Sequence, residues 1–126
     1  MTSAELALLV PLALQFGTLL RAYSLQRSAE AAGDDERMVL GQVLWRRHLA
    51  VTVVFFAAAV AAFQWRAVDG YALAFAVMFV IAEAADAALH AGNGGLRGPL
   101  NGLALRASLV ALAGLVSVTT IEILAG

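Results

Sequence analysis

Four stretches of this chain carry no charged residue: Leu6 to Leu20, Leu49 to Trp65, Gly70 to Ala82 and Ala107 to Ile121, of 15, 17, 13 and 15 residues. Crossing roughly 30 Å of hydrocarbon takes about 20 helical residues. Each stretch therefore spans only when its flanking residues complete it, which draws Glu83, Asp86 and Arg106 toward the apolar zone. Buried helices of a soluble domain are the competing explanation. Of the 126 residues, 62% are hydrophobic and 13% charged, too few charges to coat a globule in water, where a domain is usually nearer half apolar and a quarter charged. The pattern predicts an all-α, integral membrane four-helix bundle of antiparallel up-down topology. One domain over 1–126 is expected, with spans at about 4–24, 45–66, 70–90 and 100–123.

Composition narrows the function classes. The net charge of −1 gives no basic patch for nucleic acid. With no cysteine there is no disulfide, thiolate metal site or covalently attached c-type haem. All basic residues are arginine, and with abundant Ala, Gly and Val this suggests a GC-rich bacterial genome and a bacterial inner membrane. Met1-Thr2-Ser3-Ala4-Glu5 lacks the basic start of a secretory signal, so the first apolar run is expected in the mature protein.

Local signals set the boundaries. Trp45 and Trp65 are 20 residues apart, about 30 Å along a helix, and tryptophan favours membrane interfaces. Gly33-Asp34-Asp35-Glu36 reads as a helix stop followed by a new start near Asp35, with glycine at the stop and acids in the first turn. The second helix then protrudes before Trp45, offering Met38, Val39, Val43 and Leu44 as an apolar face. Gly92-Asn93-Gly94-Gly95 and Pro99 mark the third connection and the start of the fourth helix. Arg21, Arg27, Arg37, Arg46 and Arg47 fall near the first connection and Arg97 in the third, against Arg66 alone on the other side. Positive-inside bias then puts both termini on the non-cytoplasmic side. Ala13 and Gly17, Ala57 and Ala61, and Ala107 and Ala111 are small pairs four apart that suit close helix packing in lipid.

Ionisable groups at membrane depth are functional-site candidates. Folding spans two and three about residues 67–68 brings Arg47 within a turn of Asp86, and folding three and four about residues 94–95 brings Arg106 level with Glu83. Arg21 ends the first span on the same side, so Glu83, Asp86, Arg47, Arg106 and Arg21 form one expected intramembrane charge cluster. Its simplest role is structural, through Glu83–Arg106 and Asp86–Arg47 pairs, since buried ions need partners. Alternatively Arg21, Arg47, Arg97 and Arg106 hold an anionic ligand or lipid headgroup. Proton or ion transfer would have only Gln15, Gln64 and Glu122 to continue a path through the opposite half. His48 and His90 fold to similar depths and could hold a haem or pigment through two axial imidazoles. No metal-ligand spacing, Ser-His-Asp arrangement or phosphate-binding glycine loop appears, so neither a metal nor a catalytic residue is assigned.

Arg47-His48-Leu49-Ala50-Val51-Thr52-Val53-Val54-Phe55-Phe56 sits where members of the MAPEG family (membrane-associated proteins in eicosanoid and glutathione metabolism) carry Asn-x-x-Glu-x-Pro running into Val-x-Phe-Tyr. Phe79-Val80-Ile81-Ala82-Glu83-Ala84-Ala85-Asp86-Ala87-Ala88-Leu89-His90, then Asn93 and Arg97, resembles the family's Phe-Val-x-x-Arg-x-x-His-x-x-x-His followed by Asn and Arg. With four spans and this length, the chain resembles a divergent bacterial member of that family. The resemblance implies a trimer with sites between subunits and glutathione as cosubstrate. The glutathione-handling positions are replaced, however: Arg47, Ala50 and Thr52 stand for Asn, Glu and Pro, and Glu83 and Asp86 for Arg and His. The expectation is thus a non-catalytic structural or accessory subunit in the lipid bilayer, as a homo-oligomer or within a larger complex. A glutathione- or lipid-dependent enzyme is the alternative, with Tyr23, Thr52 and Ser108 as its hydroxyl candidates.

Overall fold

The computed structural model describes residues 3–33, 35–91 and 99–125. Four helices make up the described chain: α1 (Ser3–Ala31), α2 (Asp35–Gln64), α3 (Gly70–Ala91) and α4 (Pro99–Ala125). Each contains a segment long and apolar enough to cross a membrane, at Ser3–Ser28, Trp45–Gln64, Gly70–Ala88 and Leu103–Ala125. Large apolar side chains are exposed on every helix, among them Leu14 and Phe16, Val53 and Val60, Met78 and Ile81, Val110 and Ile121. A bundle with an apolar outer surface of that extent is an integral membrane protein, with lipid rather than water against its outer faces.

Helix ends follow the local chemistry. α1 runs 29 residues, past Arg21, and stops where Gly33 adopts φ 70°, with its N–H donating to the Glu30 carbonyl at 3.2 Å. α2 begins at Asp35. At the other end of α2, Arg66 takes a left-handed φ of 52°. Its N–H donates to the Phe63 carbonyl at 3.3 Å, and the Ala67 N–H reaches the Ala62 carbonyl at 2.8 Å. These two bonds form a Schellman stop, a position glycine usually fills. Asp69 then caps α3 by accepting the Ala72 N–H at 2.9 Å. The connection between α2 and α3 is therefore held by its own hydrogen bonds.

The packing order differs from the chain order. α1 lies against α2 and α3, and α4 lies against α2 and α3. Helices alternate in direction, but α2 and α3 face each other across the diagonal instead of side by side. Side chains they point inward meet on the bundle axis. Phe55 of α2 stacks on Phe79 of α3, with ring centroids 4.6 Å apart and planes at 19°. Around this pair the core is built largely from small residues, Ala59, Ala72, Ala76 and Ala111, with Leu8, Val51, Leu112 and Leu115. Of the expected small pairs, Ala13 and Gly17 face outward, Ala107 is exposed and Ala111 buried. The close approach of α3 and α4 falls instead at Gly114, where any Cβ would collide with the Phe75 ring.

Candidate functional site: a buried histidine between two carboxylates

Glu83 and Asp86 stand one turn apart on the inward face of α3, followed from Phe79 at the same helical spacing. The face of α2 that carries Phe55 carries Thr52 and His48 at four- and three-residue steps. Diagonal placement brings these two faces together. His48 Nε2 lies 2.9 Å from Asp86 Oδ2, while Nδ1 is in ion-pair contact with Glu83 Oε2. The Arg47 guanidinium also meets Asp86 Oδ2. The side chain of His48 is 0% exposed, and those of Glu83 and Asp86 are 1% exposed. Arg47 is 28% exposed and closes the cluster toward the outside.

One layer deeper, the Gln15 Nε2 of α1 donates to Thr52 Oγ1 at 2.8 Å. Both side chains are buried. Among the described residues, Gln15 Oε1 and Glu83 Oε1 have no hydrogen-bond partner. From the arginine-bearing end inward, the axis therefore passes an ionic layer, an amide–hydroxyl layer and an aromatic layer. The ionic layer sets two carboxylates against one guanidinium and one imidazole, so groups able to carry negative and positive charge match in number. A buried imidazole with a carboxylate at each nitrogen is held in one orientation, as buried charges require partners to persist.

Other candidate residues lie elsewhere. Arg106 is exposed on α4, and no ion pair joins it to Glu83 among the described residues; His48 takes that place. The inward face of α4 is set by Ala104, Ser108, Ala111 and Leu115, and two residues along a helix turns a side chain about 200° from that face. Arg21 is likewise exposed on α1. The expected five-membered cluster is thus reduced to Glu83, Asp86 and Arg47, with His48 added.

His48 is enclosed between its two carboxylates, which leaves no face open to a macrocycle. The side chain of His90 lies outside the described residues, as does Arg97. Of the three hydroxyls, Thr52 is engaged by Gln15 and Ser108 donates to the Leu105 carbonyl at 2.9 Å. Tyr23 pairs with Trp45, ring centroids 5.0 Å apart, with Arg27 lying 6.0 Å from the Tyr23 ring centre. Of the apolar face expected ahead of Trp45, Val43 is exposed, whereas the side chains of Met38, Val39 and Leu44 lie outside the described residues.

His48, Glu83 and Asp86 each offer one ligand atom, and those atoms lie within 4.8 Å of one another. No short spacing in the sequence announces this, because one ligand comes from α2 and two from α3. The signal was the depth of His48, which the same folding about residues 67–68 puts beside Asp86. No protein-family model matches the chain, and neither does any curated protein or solved structure.

Proposed function

We propose that this chain is a non-catalytic four-helix membrane protein that acts as a structural or accessory subunit of a membrane assembly, on a MAPEG-like scaffold. The observation that supports this reading is the enclosure of its ionisable centre. His48, Glu83 and Asp86 are buried against one another, and Thr52 and Ser108 are committed to partners within the bundle. A conjugating enzyme needs a polar group within reach of its substrate, and these groups are turned toward each other. The family link rests on the two sequence stretches around Arg47 and Glu83. Under this reading the protein sits in a bacterial inner membrane with both termini outside, and assembles as a trimer or with other subunits.

A second reading keeps an anionic ligand or lipid headgroup at the arginine-bearing end. The exposure of Arg21, Arg27, Arg46 and Arg106 favours it, because exposed guanidinium groups near an interface suit phosphate or carboxylate.

Native mass spectrometry on protein extracted gently from its own membrane tests both. A fixed-ratio assembly without a bound cosubstrate supports the accessory reading. A retained glutathione or lipid mass, lost when Arg21 and Arg106 are replaced, supports the second. Thiol conjugation by the purified protein would overturn the non-catalytic assignment.

A further inference from the structure

We infer that His48, Glu83 and Asp86 form a binding site for one first-row divalent transition-metal cation on the axis of the bundle. Three features of the site point to this ligand.

The first is convergence. A nitrogen and two carboxylate oxygens come within 4.8 Å of one another, so a side-chain shift that admits an ion between them brings all three to the bond lengths of about 2.0–2.2 Å that zinc makes with His and carboxylate. The second is the state of the atoms. His48 Nδ1 meets Glu83 Oε2 and Nε2 meets Asp86 Oδ2, while Glu83 Oε1 is without a hydrogen-bond partner. The carboxylate oxygens carry lone pairs into an enclosed space. Gln15 Oε1, buried in the adjoining layer, is a further unpartnered oxygen. A cation satisfies such atoms where water does not reach.

The third is charge. A metal ligand must be deprotonated, so binding releases any proton from the ligating imidazole nitrogen; a neutral imidazole and two carboxylates then carry −2, which one divalent cation cancels. Arg47, the cation that meets Asp86 here, is 28% exposed and has a way out of the core when the metal takes over its role. One imidazole nitrogen among carboxylate oxygens suits Zn²⁺, Co²⁺, Mn²⁺ or Fe²⁺. Mg²⁺ and Ca²⁺ prefer oxygen ligands throughout. Four-helix bundles commonly place metal sites between inward-facing side chains of their helices. Cation binding here is independent of which assembly the bundle joins.

The test is titration of the chelator-stripped full chain with Co²⁺ in mild detergent, following the visible band of the bound ion and the melting temperature. Saturation at one equivalent with a raised melting temperature is expected, since a ligand of the folded state alone stabilises it. Excess Mg²⁺ should leave the Co²⁺ signal unchanged. Glu83→Gln and Asp86→Asn keep the side-chain volumes, and each should weaken Co²⁺ at least about 100-fold, more than outer-shell changes do. His90→Ala should bind as the parent does. Absence of saturable binding by the parent chain overturns the inference. So does binding that survives His48→Ala and both isosteric variants, or that vanishes with His90→Ala.

Discussion

Asp86 Oδ2 on α3 meets two side chains of α2: His48 Nε2 at 2.9 Å and the guanidinium of Arg47. These residues belong to helices that face each other across the diagonal of the bundle. The charge cluster therefore ties together two helices that make little other backbone contact. Its loss is felt across the core and not along one interface.

Glu83 and Arg106 should behave very differently when truncated. Glu83→Ala leaves His48 with one carboxylate in a closed site, and breaking a buried pair typically costs about 3–5 kcal/mol. Arg106 is exposed, so Arg106→Ala should stay within about 0.5 kcal/mol of the parent. Chemical unfolding of both variants in the same detergent checks this. Equal losses would restore a direct Glu83–Arg106 pair.

The amide–hydroxyl layer predicts a non-additive pair. Thr52→Val removes the acceptor of the 2.8 Å bond from Gln15, leaving a buried amide donor unpaired at about 1–3 kcal/mol. Gln15→Leu made together with Thr52→Val removes the stranded donor and should recover part of that loss. Unfolding free energies of the two single variants and the double variant decide it; simple additivity would mean the two side chains do not interact.

How far the sequence led can be judged at particular residues. Gly33 and Asp35 were legible as a stop and a start because glycine and acidic residues act locally, without reference to the fold. The depth of Arg47 relative to Asp86 was legible too, since antiparallel helices joined by a short connection fix each other's register. Arg106 shows what depth leaves out. It stands near the level of Glu83 but on the outer face of α4, and register carries no information about rotation around the helix axis. In a soluble helix the apolar stripe supplies that rotation. Here inner and outer faces are both apolar, Leu112 and Leu115 buried beside exposed Leu109 and Val110, and the stripe is lost. For the same reason depth alone does not separate a His48 that faces His90 from one that faces Asp86, since both lie near its level. The diagonal placement of α2 and α3 has no local signature at all.

Close approach of α3 and α4 depends on Gly114. A methyl group there meets the Phe75 ring, and overpacking of this kind costs about 1–3 kcal/mol. Gly114→Ala should lower the melting temperature, and Phe75→Leu added to it should restore part of the loss by vacating the space. A Gly114→Ala variant as stable as the parent would show that the ring moves aside freely.

The connection between α2 and α3 gives two opposite effects. Asp69→Ala removes the cap on the Ala72 N–H and should cost about 1 kcal/mol. Arg66→Gly relieves a left-handed backbone at φ 52°, at some entropic cost to the unfolded chain, and should gain a few tenths to about 1 kcal/mol. Melting temperatures of the two variants should move in opposite directions from the parent; a shared direction would contradict the capped-turn description.

A double-mutant cycle between His48 and Asp86 addresses the central claim, that a mutually neutralising charge centre on the bundle axis holds the fold. The free energy of unfolding would be measured for the parent, His48→Leu, Asp86→Leu and the double variant in one detergent. The account predicts each single variant to be destabilised strongly and the double variant by less than their sum, with a coupling of about 1–3 kcal/mol. Additivity within about 0.5 kcal/mol would mean that the two side chains do not depend on each other, and would contradict the account.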